Sequence, residues 1–554
     1  MKKINIVIIC LITSFITLAQ SNKNWNIAKP LDQLILVSTF GEIRTNHFHS
    51  GLDFSGRGKK GDPIYAIDNG YISKIKVSAN GYGNAIYIIH PNGKKSVYGH
   101  LDRFANEIQN LVVKEQYKRQ QFELDLYLEP ETFKINKGQI IGYVGNTGYS
   151  YGPHLHFEIR NAFLDFPINA LKFFPWIKDN VPPKIIRYAI YPATDTSFVN
   201  YKQKKIILPS SNKKIIHTYG PIYFGIETYD YINNHYSRKG VYDVKIFIDD
   251  SLWMWYRFDK ILFKNSKDVN TLIDYASFIN NNFKIQRTLI TPGNRLCIYR
   301  VSHNRGIFIP NIGLHKIKYV ISDFHGNKTY LTFYIKALAK KPKAIKKYKY
   351  KLINYGQEFR LDTNKFTLII PDSALYDSIH FNFSIETSKN AYSPIYNIQN
   401  YQTPLRYPIK LIFTLPQNTT ELNKFLIVYI DHKGNKQSLK THIKSSHAIA
   451  YSYKFGKFYL SRDTIKPQIK AITPLQLSFG QRLIFKIKDN FGKIKNYKVI
   501  VNRKWTLFGY DAKTSTLSTK IDTKHFVKGP NHVAVYITDL AGNTKKRDFL
   551  LTVK

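Results

Sequence analysis

Apolar residues recur at every second position over most of this chain, which is the period of a β-strand. In "GPHLHFEIR" (152–160), His154, His156 and Glu158 alternate with Leu155, Phe157 and Ile159. The pattern predicts a strand with one apolar face and both histidines on its polar side. "IYIIHPNGKKSVYGHL" (86–101) predicts a hairpin around Asn92-Gly93, with His90 near one strand end and His100 at the other. The segment 105–134 reads as helical at first and strand-like at its end. Beyond about residue 177, short alternating runs are broken by Asn, Gly, Asp and Pro, the pattern of β-sandwiches. Residues 260–310 break this rhythm and predict a short helix around "VNTLIDYASFI". The fold class expected is mostly β.

Internal similarity divides the β-rich part. "SDFHGNKT" (322–329), "IDHKGNKQ" (430–437) and "TDLAGNTK" (538–545) share the frame Asp-x-x-Gly-Asn between strand-like runs. The frame suits a hairpin turn in which Gly or Asn takes positive φ. Calcium binding by Asp323, Asp431 and Asp539 would need more than the one carboxylate per turn, so the turns are read as structural. "VPPKIIRYAIYP" (181–192) echoes "IKPQIKAITP" (465–474), and "YDVKIFIDDSLW" (242–253) echoes "YKVIVNRKW" (497–505). Two copies of one unit are therefore expected. The domains predicted are 20–177, an Ig-like β domain at 178–337, a lysine-rich linker at 338–351, a β domain at 352–462 and a second Ig-like domain at 463–554.

Length and composition agree with several packed domains: 554 residues, 43% hydrophobic and 15% aromatic. Lys2 and Lys3 precede the apolar run Ile6–Leu18, and Thr17-Leu18-Ala19 offers small residues for cleavage. This predicts a signal peptide at 1–19 and an exported protein, periplasmic or envelope-associated. No later segment is long and apolar enough for a transmembrane helix. Past the signal only Cys297 remains, which excludes an internal disulfide and suggests a small buried residue in a strand. The net charge of +44 suits nucleic acid, anionic membrane or an acidic wall polymer. Export and the lack of any nucleic-acid motif argue against nucleic acid. The lysines are spread throughout the chain, so the charge points only broadly to an anionic envelope partner.

The candidate chemistry lies in the first 177 residues. Two histidines on one strand side at 154 and 156 have an upstream complement in "HSGLDF" (49–54), with His49 and Asp53. In a straight strand these two would stand about 13 Å apart, too far for one metal ion, so the chain must bend between them, with Gly51 available. His47 stands close by, two residues before His49. Spacing alone leaves open whether His154, His156 or both meet a metal.

Taken in order, His-x-Gly-x-Asp (49–53), "YGHL" (98–101) and Gly-x-Ser-x-Gly-Pro-His-Leu-His-Phe-Glu (148–158) resemble the M23 family of lysostaphin-like, LytM-type zinc metallopeptidases. The flanks "GDPIYAIDNGYI" (61–72), "GYGNAIYIIH" (81–90) and "KGQIIGYVGNTG" (137–148) resemble it too, so the likeness covers 37–165. It implies a compact antiparallel β domain holding one zinc ion on His49, Asp53 and His156. It also implies catalytic roles for His100 and His154, one of them the base that serves a zinc-activated water. His90 is read as structural. The segment 105–134 departs from the pattern as an insertion positioned to overhang the groove.

The function this implies is zinc-dependent hydrolysis of peptide cross-links in peptidoglycan, with envelope protein partners engaged through the β domains. Two alternatives stand beside it. One is a non-catalytic LytM-type scaffold or activator of other cell-wall hydrolases. The other is an envelope binding protein acting through its β modules. Such scaffold domains lose zinc ligands, whereas here every motif position is filled.

Overall fold

A computed structural model describes residues 25–232, 237–343, 351–388, 391–417 and 420–554. The apolar leader at 1–19 and residues 344–350 of the lysine-rich stretch lie outside these. The chain divides into two compact units. One contains the described residues up to Gly41 together with His49–Asp179; the other contains Glu42–Phe48 and Asn180–Lys554. Strands dominate both, as the period-two pattern predicts.

The first unit is built on an antiparallel sheet. Its main strands are β1 (Leu36–Ser38), β2 (Leu52–Phe54), β3 (Gly70–Val77), β4 (Asn84–Ile89), β5 (Lys94–Leu101), β6 (Leu124–Tyr127) and β7 (Leu155–Asn161). They lie in the order β1-β2-β7-β5-β4-β3-β6. The β4–β5 hairpin turns at Asn92-Gly93, where Gly93 takes φ 72°. β7 sits between β2 and β5, and its register sets His156 opposite Asp53 on one side and Gly99 on the other. Leu155, Phe157 and Ile159 have no exposed surface. Phe157 packs against Tyr98 and Phe174 with ring centroids 5.3 and 5.5 Å apart. These contacts make the apolar face that the alternation predicts. The opposite face is also buried: His156, Glu158 and Arg160 are covered as completely as the core.

The 105–134 segment forms helix α1 (Asn106–Arg119) followed by strand β6. α1 buries Ile108, Val112 and Gln116 at a four-residue spacing and packs on Arg103–Phe104 and on β6. β6 pairs with β3 at the end of the sheet farthest in strand order from β2 and β7. The segment therefore extends a sheet edge.

In the second unit the two similar stretches fold alike. The hairpins Asp243–Ile248/Ser251–Arg257 and Ile494–Val501/Lys504–Trp505 both turn on two residues at positive φ, Asp249-Asp250 and Asn502-Arg503. Each hairpin continues into a pair of long strands, and a short strand adds in parallel at the far side. Two sheets face each other in the 184–337 module, with Tyr188 stacked on Phe333 at 4.2 Å. Residues 351–462 form a separate pair of five-stranded sheets around one apolar core. The predicted helix near 269–279 is broken in two, Val269–Leu272 and Tyr275–Asn281: Ile273 leaves the first in an extended conformation, and Asp274 caps the second by accepting from Ser277 N. Cys297 lies half-buried in a turn before the strand Tyr299–Ser302, not in a strand as its apolar neighbours suggested.

The three Asp-x-x-Gly-Asn frames are turns with Gly326, Gly434 and Gly542 at φ 92°, 84° and 77°. In each, one aspartate oxygen accepts the backbone N–H of the Asn and the other accepts its side-chain amide. Gly supplies the positive φ, and Asn serves to tie the turn to its aspartate.

Candidate metal centre

Three side chains from separate parts of the first unit converge on one point. His49 Nε2 lies 3.0 Å from Asp53 Oδ1 and 3.0 Å from His156 Nδ1, and His156 Nδ1 lies 2.9 Å from Asp53 Oδ1. The far side of each ring is already engaged. His49 Nδ1 donates to Thr39 O at 2.7 Å, and His156 Nε2 donates to Glu158 Oε1 at 2.8 Å. These acceptors take one N–H of each ring, which turns His49 Nε2 and His156 Nδ1 toward each other and toward a carboxylate. Without a metal, a proton on His156 Nδ1 bridges to Asp53 Oδ1; a cation bound at this point would take that proton's place. Two nitrogens and one oxygen, each backed by a hydrogen-bond partner or a buried wall, are a donor set that zinc takes.

The electrostatics favour positive charge at this point, held by His156 itself when no metal is bound. Burial would lower the His156 pKa, but hydrogen bonds to Asp53 and Glu158 outweigh it and raise the ring to about 9. Burial would raise Asp53, but His49 and His156 hold it well below the usual carboxylate range. The pocket is thus built to hold positive charge among its ligands.

Glu158 is the centre of the supporting network. It has no exposed surface and accepts from Ser50 Oγ at 2.5 Å, Tyr82 Oη at 2.6 Å and Arg160 Nε at 2.5 Å, besides His156. Burial alone would raise its pKa, yet Arg160 and His156 hold it far below the carboxylate range.

Two further imidazoles flank the triad. His154 Nε2 lies 3.6 Å from Asp53 Oδ1, and the His100 and His154 ring centroids are 4.8 Å apart. His154 Nδ1 donates to Gly152 O at 2.9 Å and His100 Nδ1 donates to Thr147 O at 2.8 Å. Both Nε2 atoms therefore carry lone pairs. Burial, with His156 and His154 beside it, pushes His100 down to about 3; burial also lowers His154. Each ring is neutral at neutral pH. His100 takes φ 64°, a left-handed conformation that non-glycine residues adopt at a cost of about 1–3 kcal/mol. It is held there because its N–H donates to Tyr82 O at 2.8 Å.

The family model for "Peptidase family M23" matches residues 47–117 and 126–169, the stretch that carries all five of these residues. This unit is a member of peptidase family M23. Over 146 residues the chain is 32% identical to the DD-carboxypeptidase/endopeptidase Mpg of Neisseria meningitidis, covering 26% of this chain and 27% of that one. It is 31% identical over 137 residues to the peptidoglycan DD-endopeptidase ShyA of Vibrio cholerae, covering 24% and 25%. The chain thus spans about a quarter of the length of these curated relatives. Among solved structures, the catalytic domain of lysostaphin from Staphylococcus simulans is 26% identical over 25% of this chain and 91% of its own, with a TM-score of 0.19. A second model, described as a Zu5-like domain, matches residues 350–463.

Within the M23 unit, the five residues singled out from the sequence stand together. His90 does not join them: it donates or accepts at Asn69 O and Ser96 Oγ, both 2.8 Å away, and closes the β4–β5 strand ends. His47 contacts Thr45 O and belongs to the other unit. Sequence reasoning gave no role to Glu158, Arg160, Tyr82 or Ser50. Glu158 and Arg160 share the parity of His154 and His156 in the strand, a signal that was available. Tyr82 and Ser50 carry no such signal, and the carbonyls of Thr39, Thr147 and Gly152 are not encoded by residue type.

Gly51 makes the bend between His49 and Asp53 possible. A Cβ there would lie 2.3 Å from Phe157 O and 2.9 Å from Glu158 Cγ. The glycine is needed for close approach to β7, not for positive φ. Gly51→Ala must push β2 from β7 and separate Asp53 from His156. We expect a destabilisation of about 1–3 kcal/mol, the range of overpacked cores, together with loss of bound metal. Denaturant unfolding and metal analysis of the purified variant check this; unchanged stability with full metal content would contradict it.

Proposed function

We propose that the chain is a zinc-dependent endopeptidase that hydrolyses peptide cross-links of peptidoglycan outside the cytoplasm. The reading rests on one observation: His49 Nε2, Asp53 Oδ1 and His156 Nδ1 converge within 3.0 Å of one another, beside two neutral imidazoles whose Nδ1–H groups are tied to backbone carbonyls. His49, Asp53 and His156 would hold one zinc ion. Zinc bound there supplies Lewis acidity, which polarises a scissile carbonyl and acidifies water.

The protein's own groups do the rest. His154 and His100 offer neutral Nε2 atoms on the Asp53 side of the site, so either can accept a proton and return it to the leaving amine. Their Nδ1–H bonds to Gly152 O and Thr147 O fix each ring's tautomer and orientation. The same rings, once protonated, stabilise negative charge on the carbonyl oxygen under attack. Glu158 holds His156 in place and takes no part in proton transfer, since Ser50, Tyr82, Arg160 and His156 occupy its oxygens. The β modules of the second unit would hold the enzyme at the envelope through protein partners or the anionic wall. Export with a leader at 1–19 and an envelope location complete the reading; among the described residues no helix is long and apolar enough to cross a membrane.

The test is direct. Purified protein is assayed for zinc and incubated with peptidoglycan, and the released muropeptides are separated. Cleavage that depends on zinc supports the proposal. One zinc per chain with no cleavage of any muropeptide would favour the non-catalytic scaffold. His100→Ala and His154→Ala should keep zinc while losing turnover by ~10²–10⁴-fold, the span of general acid–base catalysis. If either variant lost zinc in proportion to activity, its residue would be a ligand instead.

A further inference from the structure

The turn at Asp539–Asn543 has surroundings that its sequence does not announce. Asp463 and Asp489 come to it, and one carboxylate oxygen of each of the three aspartates lies within 4.8 Å of the others. They arrive from separate places: Asp463 just past the strand Gly456–Arg462, Asp489 just past Arg482–Lys488, and Asp539 at the end of Gly529–Asp539. All three are buried, with 1%, 7% and 0% of their surface exposed.

Their hydrogen bonds leave a remainder. Both oxygens of Asp539 are taken by Asn543, through its backbone N–H and its side-chain amide, each at 2.8 Å. Asp463 Oδ1 accepts from Ile465 N and Asn490 Nδ2, at 3.1 and 3.0 Å. Asp489 Oδ2 accepts from Phe491 N at 2.9 Å. Asp463 Oδ2 and Asp489 Oδ1 are shielded from solvent and receive no hydrogen bond. Lys424 is the nearby cation; its Nζ donates to Asn543 Oδ1 at 2.7 Å, and its charge lowers the Asp463 pKa by less than burial raises it. Burying uncompensated carboxylates is costly. Burial pushes the Asp463 and Asp489 pKa values up, helped at Asp463 by Asp539 and at Asp489 by both other carboxylates.

An all-oxygen donor set with no imidazole or thiolate suits a hard cation, and a dry group of protein carboxylates suits calcium over magnesium, which keeps several of its waters. The place matters as well. Asp463 N donates to Lys424 O at 2.8 Å in the 351–462 module, and Asn543 Nδ2 donates to Asp463 O at 2.9 Å in the last module. The residue at the joint is thus tied to both sides. We propose that Asp463, Asp489 and Asp539 form a calcium site at the joint between the last two β modules, and that bound calcium stiffens this joint.

The experiment uses the full-length, zinc-loaded protein in calcium-depleted buffer. Equilibrium dialysis against labelled Ca²⁺ should give one ion per chain with a dissociation constant of about 10⁻⁴–10⁻³ M, the range of extracellular modules. Mg²⁺ should compete poorly. Calcium should raise the unfolding temperature of the wild type. Asp489→Asn should lose both the binding and that rise, while matching or exceeding the wild type without calcium, because it removes a buried like charge. A merely structural aspartate would show the opposite, a variant weaker in every buffer. Absence of binding by the wild type at ten times the upper end of that range overturns the proposal, and so does unchanged binding by Asp489→Asn. The wild-type titration decides alone if the variant does not fold, and cleavage of peptidoglycan enters neither readout.

Discussion

His156→Ala should leave the protein folded but without bound zinc and without detectable cleavage of peptidoglycan. His156 is the centre of the site in the literal sense: its Nδ1 faces Asp53 and His49, and its Nε2 donates to Glu158. Removing a partner that only orients a ligand costs ~10–100-fold in affinity or activity. Removing the ligand itself must cost more, because His49 and Asp53 alone offer two donors where zinc takes three protein ligands in catalytic sites. Metal content by atomic emission and the rate of muropeptide release are the two measurements. Full zinc occupancy in this variant would remove His156 from the ligand set. Full cleavage without zinc would remove the metal from the reaction.

Glu158→Ala should be the most destabilising single change in the first unit. The glutamate has no exposed side-chain surface, and Arg160, with 5% exposed, is held against it at 2.5 Å. Breaking a buried pair by removing one partner costs about 3–5 kcal/mol, because the remaining charge stays buried. Arg160 still has Asp165 at 3.2 Å, whose side chain is half exposed, and Tyr82 Oη at 3.3 Å, neither of which replaces the buried carboxylate. Ser50 and Tyr82 lose their shared acceptor as well. Zinc affinity should fall ~10–100-fold, since His156 loses the acceptor that fixes its tautomer. Glu158→Gln keeps an acceptor oxygen and should lose less stability than alanine does. The double variant Glu158→Ala/Arg160→Ala should be less unstable than the sum of the single changes, because no unpaired guanidinium remains. Denaturant unfolding of the four proteins measures this cycle; additive losses would mean that the pair is not coupled.

Much of the site can be read from one dimension because its residues lie on strands whose period is short. His154, His156 and Glu158 alternate with core residues, so their common side follows from the two-residue repeat of a strand. Asn92-Gly93 marks a hairpin through its own backbone preference, and the paired echoes at 181–192 and 465–474 mark two similar modules. Local chemistry of this kind survives in the sequence because it depends on neighbours in the chain.

What the sequence by itself determined, then, was the mostly β character, the repeated modules and the residue types able to ligate a metal. Only the tertiary structure decided who meets whom. The face of β7 that looked polar is buried, because Ser50, Tyr82 and Arg160 cover Glu158 from three directions. The segment after His100 became a sheet edge because β6 found β3, a pairing across 47 to 53 residues that no local pattern announces. Asp539, one carboxylate in a turn by sequence, gained Asp463 and Asp489 only when separate strands were brought to one end of a module. The physical reason is common to all three. Strand periodicity is written by adjacent residues, whereas register, burial of a polar face and the meeting of distant charges are set by packing between segments far apart in the chain.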